Sequence, residues 1–391
     1  MNILLYSHDT YGLGHIRRTL ALANSMRGKG RNVIIITGSP FAGKFEYPCG
    51  IDYIRIPGMT KFGNDLYRPT AITVTSKKTV SIRQNIILAT AKTFKPSLFI
   101  VDKAPLGMAK EVLPTLRWLN KHTPDAKLVL GLRDIMDSSE STIRDWTKKN
   151  IYEVMDKLYS EIWVYGDRQI YDSVREYRIP AQVAEKVHFT GYIPRHFPSR
   201  NSRPRVRKSM GIASGERFVL VTTGGGGDGY KVIDTYLRML ESKDEPGVKS
   251  MLITGPFLAE AAYDELAVRA RKVKARICKF YRKIERAIFA ADCVVSMGGY
   301  NTCCEIICAA RPNLVIPRNT PREEQMIRAR LLADRGLLDY IPWETVEPEG
   351  MREKIHLLLE QGARYEEQLR AFPMTAYDVI GSRLASFGKP A

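Results

Sequence analysis

The chain has 391 residues, too many for one ordinary hydrophobic core and suited to two domains of typical size. Hydrophobic residues at 44% and charged residues at 26% are normal for a soluble globular protein, and no stretch approaches the ~20 uninterrupted apolar residues that a membrane-spanning helix requires. Its 60 Lys and Arg against 42 Asp and Glu leave a net charge of +18, an excess that favours an anionic partner (phosphorylated small molecule, acidic membrane face or nucleic acid) without choosing among them.

The N-terminus, MNILLYSHDTYGLGH, lacks the basic start of a signal peptide and reads as a first strand. Short apolar runs follow at Val33–Thr37, Ile51–Ile56, Leu98–Val101, Lys127–Leu132, Ile162–Val164 and Val187–Thr190, separated by helical periodicity such as Ile16–Met26 and Met108–Asn120. Strands apolar on both faces belong in a parallel sheet covered by helices. The polar, basic stretch Arg195–Pro204 then marks an interdomain linker over 193–205. The rhythm restarts with strands at Arg217–Thr222, Lys249–Ile253, Ala275–Lys279, Cys293–Ser296 and Asn313–Ile316, and a last helix is expected near Arg352–Phe372. The expected fold class is α/β, with two tandem Rossmann-like, doubly wound parallel-sheet domains over 1–192 and 206–365 and residues 366–391 packing back on the first. The six cysteines form no CxxC and have no His or acidic residues at metal-ligand spacing, so they read as reduced cytosolic thiols.

In an open parallel sheet, ligands bind beyond the carboxyl ends of the strands, and three loops there stand out. The first, SHDTYGLGH, places Gly12 and Gly14 before a helix whose free N–H groups favour negative charge. As a dinucleotide fingerprint it is weak, because Arg17 stands where the third glycine belongs. His15, at the helix start, is equally readable as a base or as a loop residue. The second, TTGGGGDG, sets Gly224, Gly225, Gly226 and Gly227 after the first strand of the second half, where backbone amides can converge on a phosphate; it lacks the ending of a Walker loop. In the third, MGGYNTCCE, Gly298 and Gly299 end a strand, and Thr302-x-x-Glu305 has the form of a capping box. Glu305 at that position can also accept both hydroxyls of a ribose.

These motifs, with TGYIPR at the junction and ARPNLVIPRNTPREEQ after the third loop, resemble the GT-B glycosyltransferases, and most of all family 28. The resemblance spans both halves and is strongest over 294–337. It implies two domains facing a cleft, the first binding an acceptor and the second a nucleotide-sugar donor, usually a UDP-sugar. Glu305 would hold the ribose, and Gly298, Gly299, Asn301 and Thr302 would line the diphosphate. Glu324 and Gln325 would contact the donor sugar, Phe280 and Tyr281 the base, and Arg195 matches the arginine of the junction motif. Gly224–Gly227 would form a loop facing the cleft, with Gly12 and Gly14 on the acceptor side. The family's N-terminal glycine pattern is interrupted here by Tyr11 and Leu13, and the pair Glu324-Gln325 leaves the sugar open.

Transfer from a nucleoside diphosphate needs an activated hydroxyl and a stabilised leaving group. His15 is the candidate base, oriented by Asp102 in a pair that favours the imidazolium formed on proton uptake, although Asp102 can instead cap the following helix. Glycine-loop amides, a helix N-terminus and Arg195 would meet the diphosphate, so no cofactor or catalytic metal is expected. The stretch Lys77–Lys95 mixes cationic and apolar residues as a membrane-surface helix does, or as a solvated face over a core stripe does. The loop 61–68 before it is well placed to cover an acceptor. The expectation is a cytoplasmic, membrane-peripheral, inverting glycosyltransferase acting on a hydroxyl. Its rivals are a nucleotide-sugar 2-epimerase of the same fold and, remotely, a nucleic-acid binder, which the absence of aromatics among the basic runs disfavours.

Overall fold

The computed structural model describes residues 1–9, 14–61, 67–225, 227–243 and 245–387. Two compact units divide the chain: Met1–Ile193 with Thr375–Ala391, and Pro194–Met374.

The first unit runs β1 (Asn2–Ser7), β2 (Asn32–Thr37), β3 (Ile51–Arg55), the short antiparallel pair β4 (Met59–Lys61) and β5 (Tyr67–Pro69), β6 (Leu98–Asp102), β7 (Lys127–Arg133), β8 (Glu161–Tyr165) and β9 (Val187–Phe189). Seven of these form one parallel sheet in the order β3-β2-β1-β6-β7-β8-β9. β6 and β8 are buried along their whole length, as strands covered on both faces must be. The second unit contributes β10 (Arg217–Thr222), β11 (Val248–Ile253), β12 (Arg276–Cys278), β13 (Cys293–Ser296), β14 (Asn313–Val315) and β15 (Asp339–Tyr340), ordered β12-β11-β10-β13-β14-β15. The chain reverses its direction of winding between β1 and β6 in one sheet and between β10 and β13 in the other. Register pairs Tyr6 with Val101 and Thr222 with Ser296, so the loops leaving these strands emerge side by side at each switch point.

Three elements differ from expectation. The linker stretch is partly helical: Arg203–Ser209 is a helix, because Arg203 and Arg207 each bond Asp292 (2.7 and 2.9 Å) and, with it, the carbonyls that end the helix Ile284–Ala290. Near the C-terminus the single expected helix is two, Pro348–Glu360 and Gly362–Ala371. Residues 366–374 stay with the second unit, where Glu366 pairs with the buried Arg311 at 2.7 Å. The return to the first unit begins at Thr375, whose hydroxyl donates to the Thr190 carbonyl (3.0 Å). The helix Ala376–Phe387 then packs on β8 through an Arg383–Glu161 ion pair and stacking of Phe387 on Trp163. Third, β4, β5 and β15 are strands of two or three residues that the sequence reading did not include.

Candidate functional site

At the switch point of the first unit, β1 runs out into the buried His8 and Asp9. Asp9 ties three elements together: Oδ1 accepts from the Ile16 N–H (3.1 Å) at the start of the helix Gly14–Met26, and Oδ2 accepts from the Thr37 hydroxyl (2.5 Å) at the end of β2. On that helix His15 Nδ1 lies 2.5 Å from Asp102 Oδ2, at the end of β6. One turn further, Arg18 donates to Asp102 Oδ1 from Nε (3.0 Å) and Nη2 (2.6 Å), while Nη2 is also 3.1 Å from His15 Nδ1. Nδ1 cannot both donate to the carboxylate and accept from the guanidinium. The shorter contact makes Nδ1 the protonated nitrogen, donating to the Asp102 carboxylate, and leaves Nε2 as the basic one. Gly14 opens the helix; Gly12 and most of the loop 61–68 lie outside the described residues.

Burial pushes His15 down to about 4, outweighing the Asp102 carboxylate that pulls it up, and Arg18 and Lys103 push the same way. The resting imidazole is therefore neutral, the form a base requires. Against the cost of burial, Arg18 and His15 hold the Asp102 carboxyl far below the usual carboxylate range. His8, its ring 5.7 Å from that of His15 and edge-on to it, is held well below the ordinary histidine value by burial.

Next to this centre lies a second buried cluster that the sequence reading missed. Arg83 Nε and Nη2 each donate to Glu111 at 2.6 Å, both side chains fully buried, and the Tyr6 hydroxyl donates to Glu111 Oε1 at 2.5 Å. The signal was available: in the helix Ser76–Phe94 the buried residues are Thr79, Arg83, Ile87 and Ala91, a stripe at four-residue spacing in which an arginine demands a counter-charge. That stripe also shows one face of the basic helix to be packed inward.

In the second unit, the loops after β10 and β13 carry the predicted donor residues. Gly224 has φ +68, a left-handed conformation that suits glycine, Gly225 accepts from the Phe257 N–H (3.0 Å), and Gly227 is exposed; Gly226 lies outside the described residues. Gly298, at φ +71, has no room for a side chain, since a Cβ would stand 2.7 Å from Val315 Cγ1; Arg328, itself buried, donates to its carbonyl at 2.9 Å. Gly299 caps the helix Tyr300–Ala309 with its backbone alone and has nothing near its Cβ position. The capping-box reading is thus corrected: Thr302 and Glu305 lie inside the helix, and Glu305 is fully buried.

Asn301, Glu305 and Cys308 share one face of this helix, and Arg195 lies along it. Its Nη2 donates to Asn301 Oδ1 (2.7 Å), its Nε is 3.9 Å from Glu305 Oε1, and its N–H donates to Cys308 Sγ (3.2 Å). Cys303 and Cys304 are buried as packing residues. Glu324 and Gln325 open the helix Glu324–Ala333, both buried, with Gln325 Oε1 accepting from the Arg318 N–H (3.2 Å) and Glu324 Oε1 3.9 Å from Arg318 Nη2. Arg318 Nε also meets Asp228 of the glycine loop at 2.7 Å, a link from loop to pocket absent from the sequence reading. Phe280 and Tyr281 lie in the loop after β12; Tyr281 packs on the core of the unit, with the Arg276 guanidinium 5.7 Å above its ring.

Residues 219–381, which hold nearly all of this second site, match the model of the glycosyltransferase family 28 C-terminal domain. The UDP-N-acetylglucosamine--N-acetylmuramyl-(pentapeptide) pyrophosphoryl-undecaprenol N-acetylglucosamine transferase of Alkaliphilus metalliredigens (strain QYMF) is 22% identical over 194 residues, 49% of this chain and 53% of that one. The chain thus spans about half the length of this curated relative. Two solved structures extend the likeness to both units. Acinetobacter baumannii MurG superposes with a TM-score of 0.61 at 12% identity, over 98% of this chain and 99% of that one. UDP-GlcNAc 2-epimerase from Neisseria meningitidis, bound to UDP-GlcNAc, gives 0.64 at 12% identity, over 99% and 100%. At such identities the likeness is one of fold, and the fold is GT-B.

Proposed function

We propose that this chain is a metal-independent, inverting glycosyltransferase that moves a sugar from a UDP-sugar, or another nucleotide-sugar, to a hydroxyl of a lipid-linked, saccharide or small-molecule acceptor. The reading rests chiefly on the match of residues 219–381 to the family 28 C-terminal domain, which takes in a switch point with open space beside Gly224 and Gly299 and the buried Glu305. In it, the Glu305 carboxylate accepts from the ribose hydroxyls, and amides of Gly224–Gly227, Gly298 and Gly299 meet the diphosphate. Arg195, stretched along the face that carries Glu305 and Asn301, orients those groups. Glu324 and Gln325 hold the sugar, with Arg318 fixing their loop. His15 Nε2 takes the proton of the acceptor hydroxyl as its oxygen attacks the anomeric carbon. The bond from that carbon to the diphosphate oxygen breaks, and the nucleoside diphosphate leaves with the electron pair.

A cytoplasmic location at the face of an anionic membrane accords with the net charge of +18 and with the exposed Lys77 and Lys78 at the start of the basic helix. Among the described residues no helix is long and apolar enough to cross a membrane. The test is UDP release from UDP-sugars with and without a panel of lipid-linked and saccharide acceptors. Release that depends on an acceptor is expected. A sugar altered in the absence of any acceptor would instead make the chain an epimerase.

A further inference from the structure

The catalytic reading of the first unit uses His15 and Asp102, yet the carboxylate between them is shared with a third group. Arg18 is 2% exposed and lies three residues beyond His15 on the same helix face, with both its Nε and Nη2 on a single oxygen of Asp102. The other oxygen, Oδ2, is thereby left to His15 Nδ1. A carboxylate on a strand end can rotate about its last torsion. With one oxygen clamped, it cannot turn without breaking two charge-assisted bonds.

We propose that Arg18 is a positioning residue for the base: by fixing Asp102 it fixes which imidazole nitrogen carries the proton, and by placing a cation beside the ring it keeps that ring ready to accept a second one. The inference rests on the transferase reading for the word base, but the coupling of the three side chains does not. Every charged or titratable neighbour of the ring acts consistently with it. Asp102 on β6 supplies a negative charge in contact with the ring, Lys103 follows it, His8 approaches from the end of β1, and Tyr165 on β8 faces the Asp102–Arg18 pair as a neutral phenol. Asp9, at the foot of the helix, is itself pushed up to about 6 by burial. Without Arg18, the negative charge of Asp102 would fall on His15 alone and the ring would protonate more readily.

Two substitutions separate positioning from mere packing. Arg18→Met keeps an apolar, unbranched stem and removes the charge; Arg18→Lys keeps the charge and removes the fork. In the full-length protein, the His15 titration followed by NMR is expected to move to higher pH in Arg18→Met and to stay near the parent value in Arg18→Lys. The acid limb of kcat/KM should move up with it in the Met variant, kcat at neutral pH should fall about 10- to 100-fold, and the donor KM should hold; Lys should restore the limb but only part of kcat. A folded Arg18→Met protein with the parent's His15 titration overturns the proposal. Should the uncompensated Asp102 prevent that variant from folding, an Arg18→Lys enzyme with the parent's full kcat overturns it equally. The titration needs no substrate, so a shifted midpoint in a protein without transferase activity would count against the function reading and leave the coupling standing.

Discussion

His15 is depressed by burial and raised by Asp102, and burial prevails. The consequence for stability has a definite sign. Between its ordinary value of 6.5 and about 4, the unfolded chain binds a proton at this position that the folded chain does not. The stability associated with a neutral His15 is therefore complete above pH 6.5 and lost as pH falls toward 4, at on the order of 1.4 kcal/mol per pH unit. Asp9, raised to about 6, works the other way, its contribution being complete at low pH and lost as pH rises toward 6. Comparing denaturant midpoints of the parent and His15→Gln across this range cancels Asp9, and the parent is expected to lose stability relative to the variant as the solution is acidified; parallel curves would contradict the buried, neutral imidazole. The pairing of His15 with Asp102 was legible in the sequence because Asp102 ends one strand and His15 starts the helix that follows a neighbouring one. The sign of the histidine's shift was not, because desolvation depends on what covers the ring. Arg18 was legible only as the residue after the missing third glycine.

The loop that ends β13 holds two adjacent glycines with different jobs. Gly298 is needed by the fold: its φ of +71 and the Val315 side chain 2.7 Å from its Cβ position both exclude a larger residue. Gly299 has an ordinary φ of −63 and open space where a Cβ would stand, so the fold does not require glycine there. Gly298→Ala is accordingly expected to cost roughly 1–3 kcal/mol of stability. Gly299→Ala should leave the melting temperature unchanged while weakening nucleotide binding, because its methyl group would enter the space assigned to the diphosphate. Thermal unfolding with and without UDP reads both effects, and a Gly299→Ala protein that binds UDP as the parent does would remove the diphosphate from this loop. The strands flanking the loops were readable as apolar runs between turn residues. The helix start was misread, since Thr302 and Glu305 have the spacing of a cap but the chain turns helical two residues before Thr302, at Tyr300. Spacing alone cannot tell a capping glutamate from one carried inside on the buried face.

Over the whole chain, two parallel sheets with switch points at β1/β6 and β10/β13 repeat one architectural solution, and each switch point gathers a different chemistry. One holds a neutral histidine on a clamped carboxylate; the other holds glycines, a buried glutamate and an arginine stretched along it. This division was visible in the order of the motifs, as were the seven strands of the first sheet and five of the six in the second. What the sequence concealed was the set of long-range polar pairs: the ion pairs of Arg83 with Glu111 and Arg318 with Asp228, 28 and 90 positions apart, and the hydrogen bond of Arg195 to Asn301, 106 positions apart. The central claim is that the second unit binds a nucleotide-sugar through Glu305. It is tested most directly by the melting temperature of the parent and of Glu305→Ala with saturating UDP. A ligand that binds only the folded state adds about 2.7 kcal/mol at a hundredfold excess over Kd, so the parent should melt several degrees higher with UDP and the folded variant should not. A parent that no nucleoside diphosphate stabilises, or a variant stabilised as much as the parent, would contradict it.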